Sequence, residues 1–214
     1  MFSFEFPRHT NLNGIFLRII WILFSILILP SMILKFCNHP PSALFISSFS
    51  GLLGCILSPR QLGLRKISCR DIRYTLGAVA IILLSAALLT ASWKFILNKM
   101  HLFYSEKQLL AEMISSSGRG SLVMIFAATC IFAPFTEEVL FRRMIFGIWR
   151  SCHKKSAFLG TSALFSLIHF FILGIPGLFF MGMAFQHIFL RRKNLWCACL
   201  AHCLVNLAAF AVNI

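Results

Sequence analysis

The chain has 214 residues, of which 59% are hydrophobic and only 12% are charged, and its mean hydropathy is +0.86. Soluble domains contain about 45–50% apolar and about 25% charged residues, so this composition excludes an ordinary soluble fold. It predicts an all-α, polytopic transmembrane helical bundle, integral to the cell inner or plasma membrane. The net charge of +14 does not indicate a nucleic-acid partner, because Lys and Arg cluster at the ends of apolar segments.

Seven apolar segments follow one another along the chain, which predicts about seven membrane spans joined by short loops. The first segment is long and has no small-residue cleavage site, which favours a retained signal anchor over a cleaved signal peptide. The second and sixth are close to the lower limit of about 17–20 residues for a span. The segments are 14–36, 41–58, 76–98, 121–141, 156–173, 175–190 and 195–213.

Basic residues in the connections predict the orientation in the membrane. The connections 59–75, 142–155 and 191–194 are rich in Lys and Arg, and with seven spans all three fall on the same side. By the positive-inside rule that side is cytoplasmic, so the N-terminus is expected in the cytoplasm. The connection 99–120 contains an amphipathic stretch, 101–115, that is expected to lie in the membrane interface.

The eight cysteines do not indicate disulfides or zinc fingers. Most lie inside apolar runs, and no two of them form a C-x-x-C pair. Free cysteines in such positions behave as small buried hydrophobic residues. We therefore expect them to contribute to packing.

Ionisable side chains inside apolar segments are the candidate functional residues. A charged residue at the centre of a span costs at least ~2.5–3.5 kcal/mol on insertion scales, so it is a functional-site hypothesis by default. Glu137 and Glu138 lie in the fourth segment, although the whole chain has only six acidic residues. His169 lies in the fifth segment, and His202 and Asn206 lie in the seventh.

Sequence spacing predicts which of these side chains meet. Segments four and five form a predicted antiparallel hairpin around 151–155, and Glu137 and His169 are equally far from its centre. At 1.5 Å per residue both lie roughly 20–24 Å from the turn, so they are expected to face each other. His202 and Asn206 are i and i+4 and share one face of their helix. By the same rise His202 lies about 12 Å deep, so its depth matches that of Glu137 only roughly and would match better if segment four bends. The four side chains are taken as one predicted cluster on three neighbouring helices.

The neighbours of Glu137 suggest how it is presented. Glu138 and Arg142 are i and i+4, in the favourable order for a helical ion pair, which leaves Glu137 to point elsewhere. Pro134 lies one turn earlier and has no N–H, so it is expected to free the carbonyl of Cys130 and to kink the helix. A kink there would let water or a peptide approach Glu137.

Each of these residues, taken alone, has a structural explanation: a satisfied core histidine, a helix–helix hydrogen bond or an ordinary proline kink. Together, a carboxylate, two imidazoles and a carboxamide form a hydrolytic set. A carboxylate near an imidazole activates water as a general base, and Asn or His stabilises an oxyanion. Two histidines and a glutamate could instead hold a metal ion. A proton relay in a small transporter is a further alternative.

Three motifs in this cluster resemble those of a known family. Residues 137–142, EEVLFR, are similar to the EExxxR motif of the CAAX-processing and bacteriocin-processing (CPBP) intramembrane proteases, which include type II CAAX prenyl endopeptidases and Abi-type proteins. Residues 165–169, FSLIH, resemble the family's FxxxH motif, and residues 202–206, HCLVN, resemble its HxxxN motif. All three occur in the family's order, within a match over about 130–210.

The resemblance implies a membrane-embedded endopeptidase in which Glu137 activates water with help from His169. No cofactor is implied by a glutamate-type mechanism, although a divalent metal such as zinc is possible because the family is often labelled as metalloprotease. The implied partners are the lipid bilayer and a membrane-anchored protein or peptide substrate, with prenylated CAAX proteins as one option. The implied site consists of Glu137, His169, His202 and Asn206 as catalytic residues, the last two stabilising the oxyanion, and Glu138 and Arg142 as orienting residues.

The resemblance also divides the chain. Residues 1–120 are expected to hold N-terminal transmembrane helices and the interfacial segment, and residues 121–214 are expected to form the catalytic transmembrane core. Departures from the family pattern are Arg143 where many relatives have Gly, Gln186 in place of the second Gly of a G-x-x-x-G pattern, and 192–196 in place of a TGSL-like stretch. The alternative from another class is a non-catalytic membrane scaffold or bacteriocin self-immunity-type protein that retains the site.

Overall fold

The computed structural model describes residues 12–55, 62–102, 109–153 and 155–214. Within these ranges the regular elements are helical and no strand is present, which confirms the all-α prediction. A 3₁₀ turn, Ile172–Gly174, precedes α8. The helices are α1 (Leu12–Leu27), α2 (Leu29–Cys37), α3 (Pro40–Gly54), α4 (Cys69–Lys99), α5 (Leu109–Ser115), α6 (Arg119–Cys152), α7 (Ala157–Leu167), α8 (Ile175–Arg192) and α9 (Leu195–Val212).

Four helical segments among the described residues are long and apolar enough to cross a membrane: α4, α6, α9 and the segment Ile172–Arg192, which includes α8. The pair α1 and α2, bent by 42°, makes a fifth if it is one broken span. Every predicted apolar segment contains helix, but the count of seven spans is not confirmed. With 15 residues in α3 and 11 in α7, these helices are about 22 Å and about 16 Å long, short of a hydrocarbon core of about 30 Å.

The predicted cytoplasmic N-terminus depended on seven spans, so the spans found in the described part of the chain do not support it. Residues 1–11 lie outside the described residues, as do 103–108 within the predicted interfacial stretch. The division into 1–120 and 121–214 stays a prediction.

Small residues in α3 bring the N-terminal helices close to the centre of α6. Trp21 of α1 donates from its indole nitrogen to the carbonyl of Ser50 at 3.0 Å. A Cβ on Gly51 would lie only 3.0 Å from Cγ2 of Thr136, and Thr136 directly precedes Glu137. Glycine at 51 therefore allows the turn of α6 that carries Glu137 to rest against α3.

Glycines also set the close approach of α8 to its neighbours α4 and α7. A Cβ on Gly177 would lie 2.7 Å from Oγ1 of Thr90 in α4. A Cβ on Gly182 would lie 3.2 Å from both Cα and the carbonyl oxygen of Ser162 in α7. Because α7 ends just before His169, this close contact between α7 and α8 also helps to fix the position of His169.

The substitution Gly182→Val is expected to destabilise the protein by about 1–3 kcal/mol, since the added atoms have no space against the α7 backbone. Gly77 of α4 is the matched control, because a Cβ there meets nothing within 4 Å. Thermal unfolding in detergent should show a lower Tm for Gly182→Val and an unchanged Tm for Gly77→Val. Equal Tm values for the two variants would contradict the close α7–α8 contact.

Candidate active site

The two glutamates lie on one α-helical turn of α6 between two π-helical stretches. The turn is Ala133–Glu138, and the π stretches are Ala127–Phe132 before it and Val139–Ile145 after it. In the first stretch the N–H of Ala133 donates to the carbonyl of Ala128, which is an i−5 bond. Short π-helical insertions are frequent at functional sites, because they change where the following side chains point. Pro134 is thus accommodated within one continuous helix.

Glu138 is fully buried and joins α6 to α9. Nε of Arg142 donates to its Oε2 at 2.8 Å, which confirms the predicted i, i+4 ion pair. Nδ1 of His202 lies 3.0 Å from its Oε1. A carboxylate paired with Arg accepts hydrogen bonds, so His202 carries its hydrogen on Nδ1 and donates it. Glu138 therefore orients His202 as well as pairing with Arg142, a link that the helical spacing did not predict.

Arg142 lies in an aromatic enclosure with only 1% of its surface exposed. Its guanidinium carbon is 4.9 Å from the ring centroid of Phe165 and 5.9 Å from those of Phe141 and Phe185. Cation–π attraction strengthens when the cation is removed from water, so these rings hold the guanidinium in place. Phe165 is the first residue of the FSLIH motif, and the sequence assigned it no role. The structure shows it as a wall of the Arg142 enclosure.

Glu137 lies between two imidazoles. The spacing predicted that His169 faces it, whereas it matched the depth of His202 only roughly. Nε2 of His169 and Nε2 of His202 each lie 3.9 Å from Oε2 of Glu137. That oxygen is buried and accepts no hydrogen bond from the described residues. A separation of 3.9 Å is too long for a direct hydrogen bond, but a water molecule bridges polar groups at such distances.

His169 sits just beyond the end of α7, which corrects its predicted place inside a helical span. Its backbone N–H donates to Ser166, and its Nδ1 lies 2.7 Å from the carbonyl oxygen of Phe165. The imidazole thereby caps a carbonyl that the next helical turn would otherwise have used. Phe170 then adopts a positive φ of 48°, and the chain leaves the helix. Because a carbonyl can only accept, Nδ1 of His169 carries the hydrogen, and Nε2 is left facing Glu137.

The environments of the two imidazoles differ. The side chain of His169 is 27% exposed, whereas that of His202 is 5% exposed. The ring of His202 stacks on Phe185 of α8, with centroids 4.7 Å apart and planes inclined by 20°. Site access is therefore on the side of His169, and His202 forms the closed end.

Asn206 contacts α6 at a different point from the other site residues. Its Nδ2 donates to the carbonyl oxygen of Thr129 at 2.8 Å. Thr129 lies in the first π stretch, five residues before Pro134. The sequence predicted that Pro134 frees the carbonyl of Cys130, as in an α-helix. In the π pattern, an N–H at position 134 would have donated to the carbonyl of Thr129, so this is the carbonyl that Pro134 leaves without a backbone donor.

The described residues contain no group of three or more His, Cys, Asp or Glu side chains arranged to hold a metal ion. The pair Glu138–Arg142 explains part of this, because a carboxylate already neutralised by Arg is a poor metal ligand. Metal independence stays a prediction.

The fold and the site together define the class: a helical membrane protein with a partly buried carboxylate facing two imidazoles. The family model described as type II CAAX prenyl endopeptidase Rce1-like matches residues 119–208, which contain all three motifs. This match supports the predicted resemblance of the chain to the CPBP intramembrane proteases.

A curated relative points the same way. "Putative membrane peptidase YdiL" of Bacillus subtilis (strain 168) is 27% identical over 84 residues, which are 39% of this chain and 34% of that protein. The chain thus matches about a third of the length of this relative. No solved structure matches the chain.

Proposed function

We propose that the protein is a membrane-embedded endopeptidase that hydrolyses a peptide bond of a membrane-associated protein with water activated by Glu137. The supporting observation is Oε2 of Glu137, buried, without a hydrogen bond from the described residues and 3.9 Å from Nε2 of both His169 and His202. A base must have a lone pair that no donor of the protein occupies, and it must reach its partners directly or through one water molecule. Glu137 meets both conditions.

The proposed reaction begins with a water molecule that donates one hydrogen bond to Glu137 and one to Nε2 of His169. Glu137 takes a proton as the water oxygen attacks the carbonyl carbon of the scissile bond, and the electron pair of that carbonyl moves onto its oxygen. The tetrahedral intermediate then collapses and the C–N bond breaks. The leaving nitrogen receives the proton held by Glu137, so the immediate products are a carboxylic acid and an amine, and the site returns to its starting state. The acid passes its remaining proton to the amine or to water as the products leave.

In this proposal His202 stabilises the oxyanion through a hydrogen on Nε2, with Asn206 retained as the second candidate donor. Donation from Nε2 requires an imidazolium, because Nδ1 of His202 already donates to Glu138 at 3.0 Å. The charges then balance: two carboxylates, Glu137 and Glu138, face two cations, His202 and Arg142. A net neutral set is the cheapest way to keep four ionisable groups in a membrane.

The proposed substrate is a peptide segment held at the membrane. The exposed side of the site carries His169, and the next residue, Phe170, is 77% exposed. An apolar rim suits a segment that arrives from the bilayer rather than from water. Prenylated CAAX, acylated and transmembrane peptides are therefore all candidate substrates.

The proposal is tested with the protein in liposomes and a panel of peptides: prenylated CAAX, acylated, transmembrane and soluble. We expect cleavage of at least one membrane-anchored peptide and none of the soluble one, with loss of cleavage in His169→Ala. The same cleavage by His169→Ala and by Glu137→Ala would overturn the proposal. A non-catalytic scaffold predicts no cleavage of any peptide and a cellular phenotype that survives loss of Glu137.

A chelator tests whether a metal takes part. Since the described residues hold no ready-made metal site, we expect the cleavage rate to change less than twofold after incubation with a strong chelator and removal of the chelate. Loss of cleavage that is restored by added zinc would show that the reaction depends on a metal.

A further inference from the structure

We propose that Asn206 is a positioning residue that replaces the backbone N–H missing at Pro134 and so sets the place of Glu137. The effect on catalysis rests on the proposed function, whereas the structural role does not. The starting point is the hydrogen-bond pattern of the first π stretch of α6.

At the end of that stretch the N–H of Ala133 donates to the carbonyl of Ala128, five residues earlier. The next carbonyl, that of Thr129, would accept from residue 134. Proline has no N–H, so this carbonyl has no backbone donor in the same pattern. Thr129 is only 8% exposed, and a buried carbonyl left without a donor is costly.

Asn206 supplies the donor from α9. Its Nδ2 lies 2.8 Å from the carbonyl oxygen of Thr129. The hydroxyl of Thr129 is not a substitute, because it donates to the carbonyl of Ile125 at 2.8 Å. The side chain of a residue 77 positions away therefore completes the helix at the point where Pro134 interrupts it.

The same face of α9 also holds the other side of the turn. His202 is one turn before Asn206, and its Nδ1 donates to Glu138 at 3.0 Å. Thus α9 contacts α6 at two points. One is Thr129, before the turn Ala133–Glu138, and the other is Glu138, the last residue of that turn. Glu137 lies between these two attachments, so loss of either is expected to change the angle at which its carboxylate faces the imidazoles.

A double-mutant cycle separates this role from direct oxyanion stabilisation. Asn206→Leu removes the donor, and Pro134→Ala restores an N–H in the i−5 position relative to Thr129. We expect Asn206→Leu to lower kcat at least tenfold with KM changed less than twofold, and Pro134→Ala alone to stay within threefold of the wild type. The double variant should recover kcat to within threefold of Pro134→Ala.

Asn213→Leu is the matched control, because Nδ2 of Asn213 donates at 2.7 Å to Ala209 of its own helix and holds no other element. It should leave kcat unchanged. A folded double variant that stays as inactive as Asn206→Leu would overturn the proposal and assign Asn206 to the oxyanion.

Hydrogen exchange measures whether Asn206 stabilises this part of α6, and it does not depend on peptide cleavage. Amides of residues 127–138 should exchange faster in Asn206→Leu than in the wild type, and the double variant should return to the wild-type rate. If no peptide is cleaved by the wild type but this recovery is seen, the proposed function fails and the positioning role stands. If cleavage is normal and exchange in this range is the same in all four proteins, the positioning role fails alone.

Discussion

Glu137→Gln is expected to lower the rate of peptide cleavage by about 10²–10⁴-fold, the usual contribution of a general base. The amide has nearly the shape of the carboxylate, so it fills the same space between the two imidazoles. It cannot take a proton from water, however, and its Nε2 would donate where a lone pair is required. The measurement is kcat for the best peptide of the panel in liposomes.

The fold should survive this substitution. Oε2 of Glu137 accepts no hydrogen bond from the described residues, so the amide leaves no protein donor without its acceptor. With the charge of Glu137 removed, His202 loses the proton on Nε2 that balanced it, and Glu138 and Arg142 remain as a neutral pair. We therefore expect a Tm equal to or above that of the wild type. Glu112→Gln makes the same substitution at an exposed position on α5. It is the matched control and should keep full activity. A Glu137→Gln protein with more than a tenth of wild-type kcat would exclude Glu137 as the base.

The assembly of the site was largely predictable because its residues stand out against an apolar background. Glu137 and His169 are equally distant from a hairpin turn, and 1.5 Å per residue is enough to bring them to one depth. The ion pair of Glu138 with Arg142 follows from helical periodicity alone. These are local or one-turn arguments, and each of the contacts they predicted is present in the structure.

The span count was not predictable in the same way. Hydropathy extends the fifth apolar segment to 173, but α7 ends at Leu167 because the imidazole of His169 takes the carbonyl of Phe165. A side chain that competes with the backbone for one carbonyl does not change the mean hydropathy of a segment, so hydropathy cannot predict where such a helix ends. The N-terminal pair α1 and α2 breaks at Ile28 for a similarly local reason, since Pro30 lies in the first turn of the second helix.

The contacts of Glu138 and Asn206 depend on the register between helices. Periodicity shows that Glu138 can reach Arg142, but not that Nδ1 of His202 reaches the same carboxylate from α9. Likewise, the rule for an α-helix assigns the freed carbonyl to Cys130, four residues before Pro134. In the observed π pattern the freed carbonyl is that of Thr129, and it accepts a hydrogen bond from Asn206 of another helix. Which carbonyl is freed therefore depends on how the two helices pack together, and the sequence of either helix alone does not determine it.

Arg142→Met is expected to cause the largest loss of stability of any single change discussed, about 3–5 kcal/mol. Both side chains of the Glu138–Arg142 pair are fully buried. Methionine fills much of the space within the aromatic enclosure, but it leaves the charge of Glu138 with only His202 as a partner. A buried carboxylate that has lost its arginine is the costly state, and the loss of cation–π contact with Phe165 adds to the cost.

Arg192→Met is the matched control for this prediction. Arg192 pairs with Asp71 through Nε at 2.6 Å, but its side chain is 21% exposed. Partial exposure screens the pair, so its loss is expected to cost about 1 kcal/mol or less. Thermal unfolding in one detergent compares the two variants directly.

A third protein, Glu138→Leu with Arg142→Met, separates the cost of the stranded charge from the cost of lost packing. If the stranded carboxylate of Glu138 is the main penalty, the double variant should be more stable than Arg142→Met although it lacks more polar contacts. It should nevertheless cleave no peptide, because His202 then has no acceptor for Nδ1 and its ring is no longer held towards Glu137. A double variant less stable than Arg142→Met would instead mean that packing of the guanidinium among its three rings dominates the energy of this site.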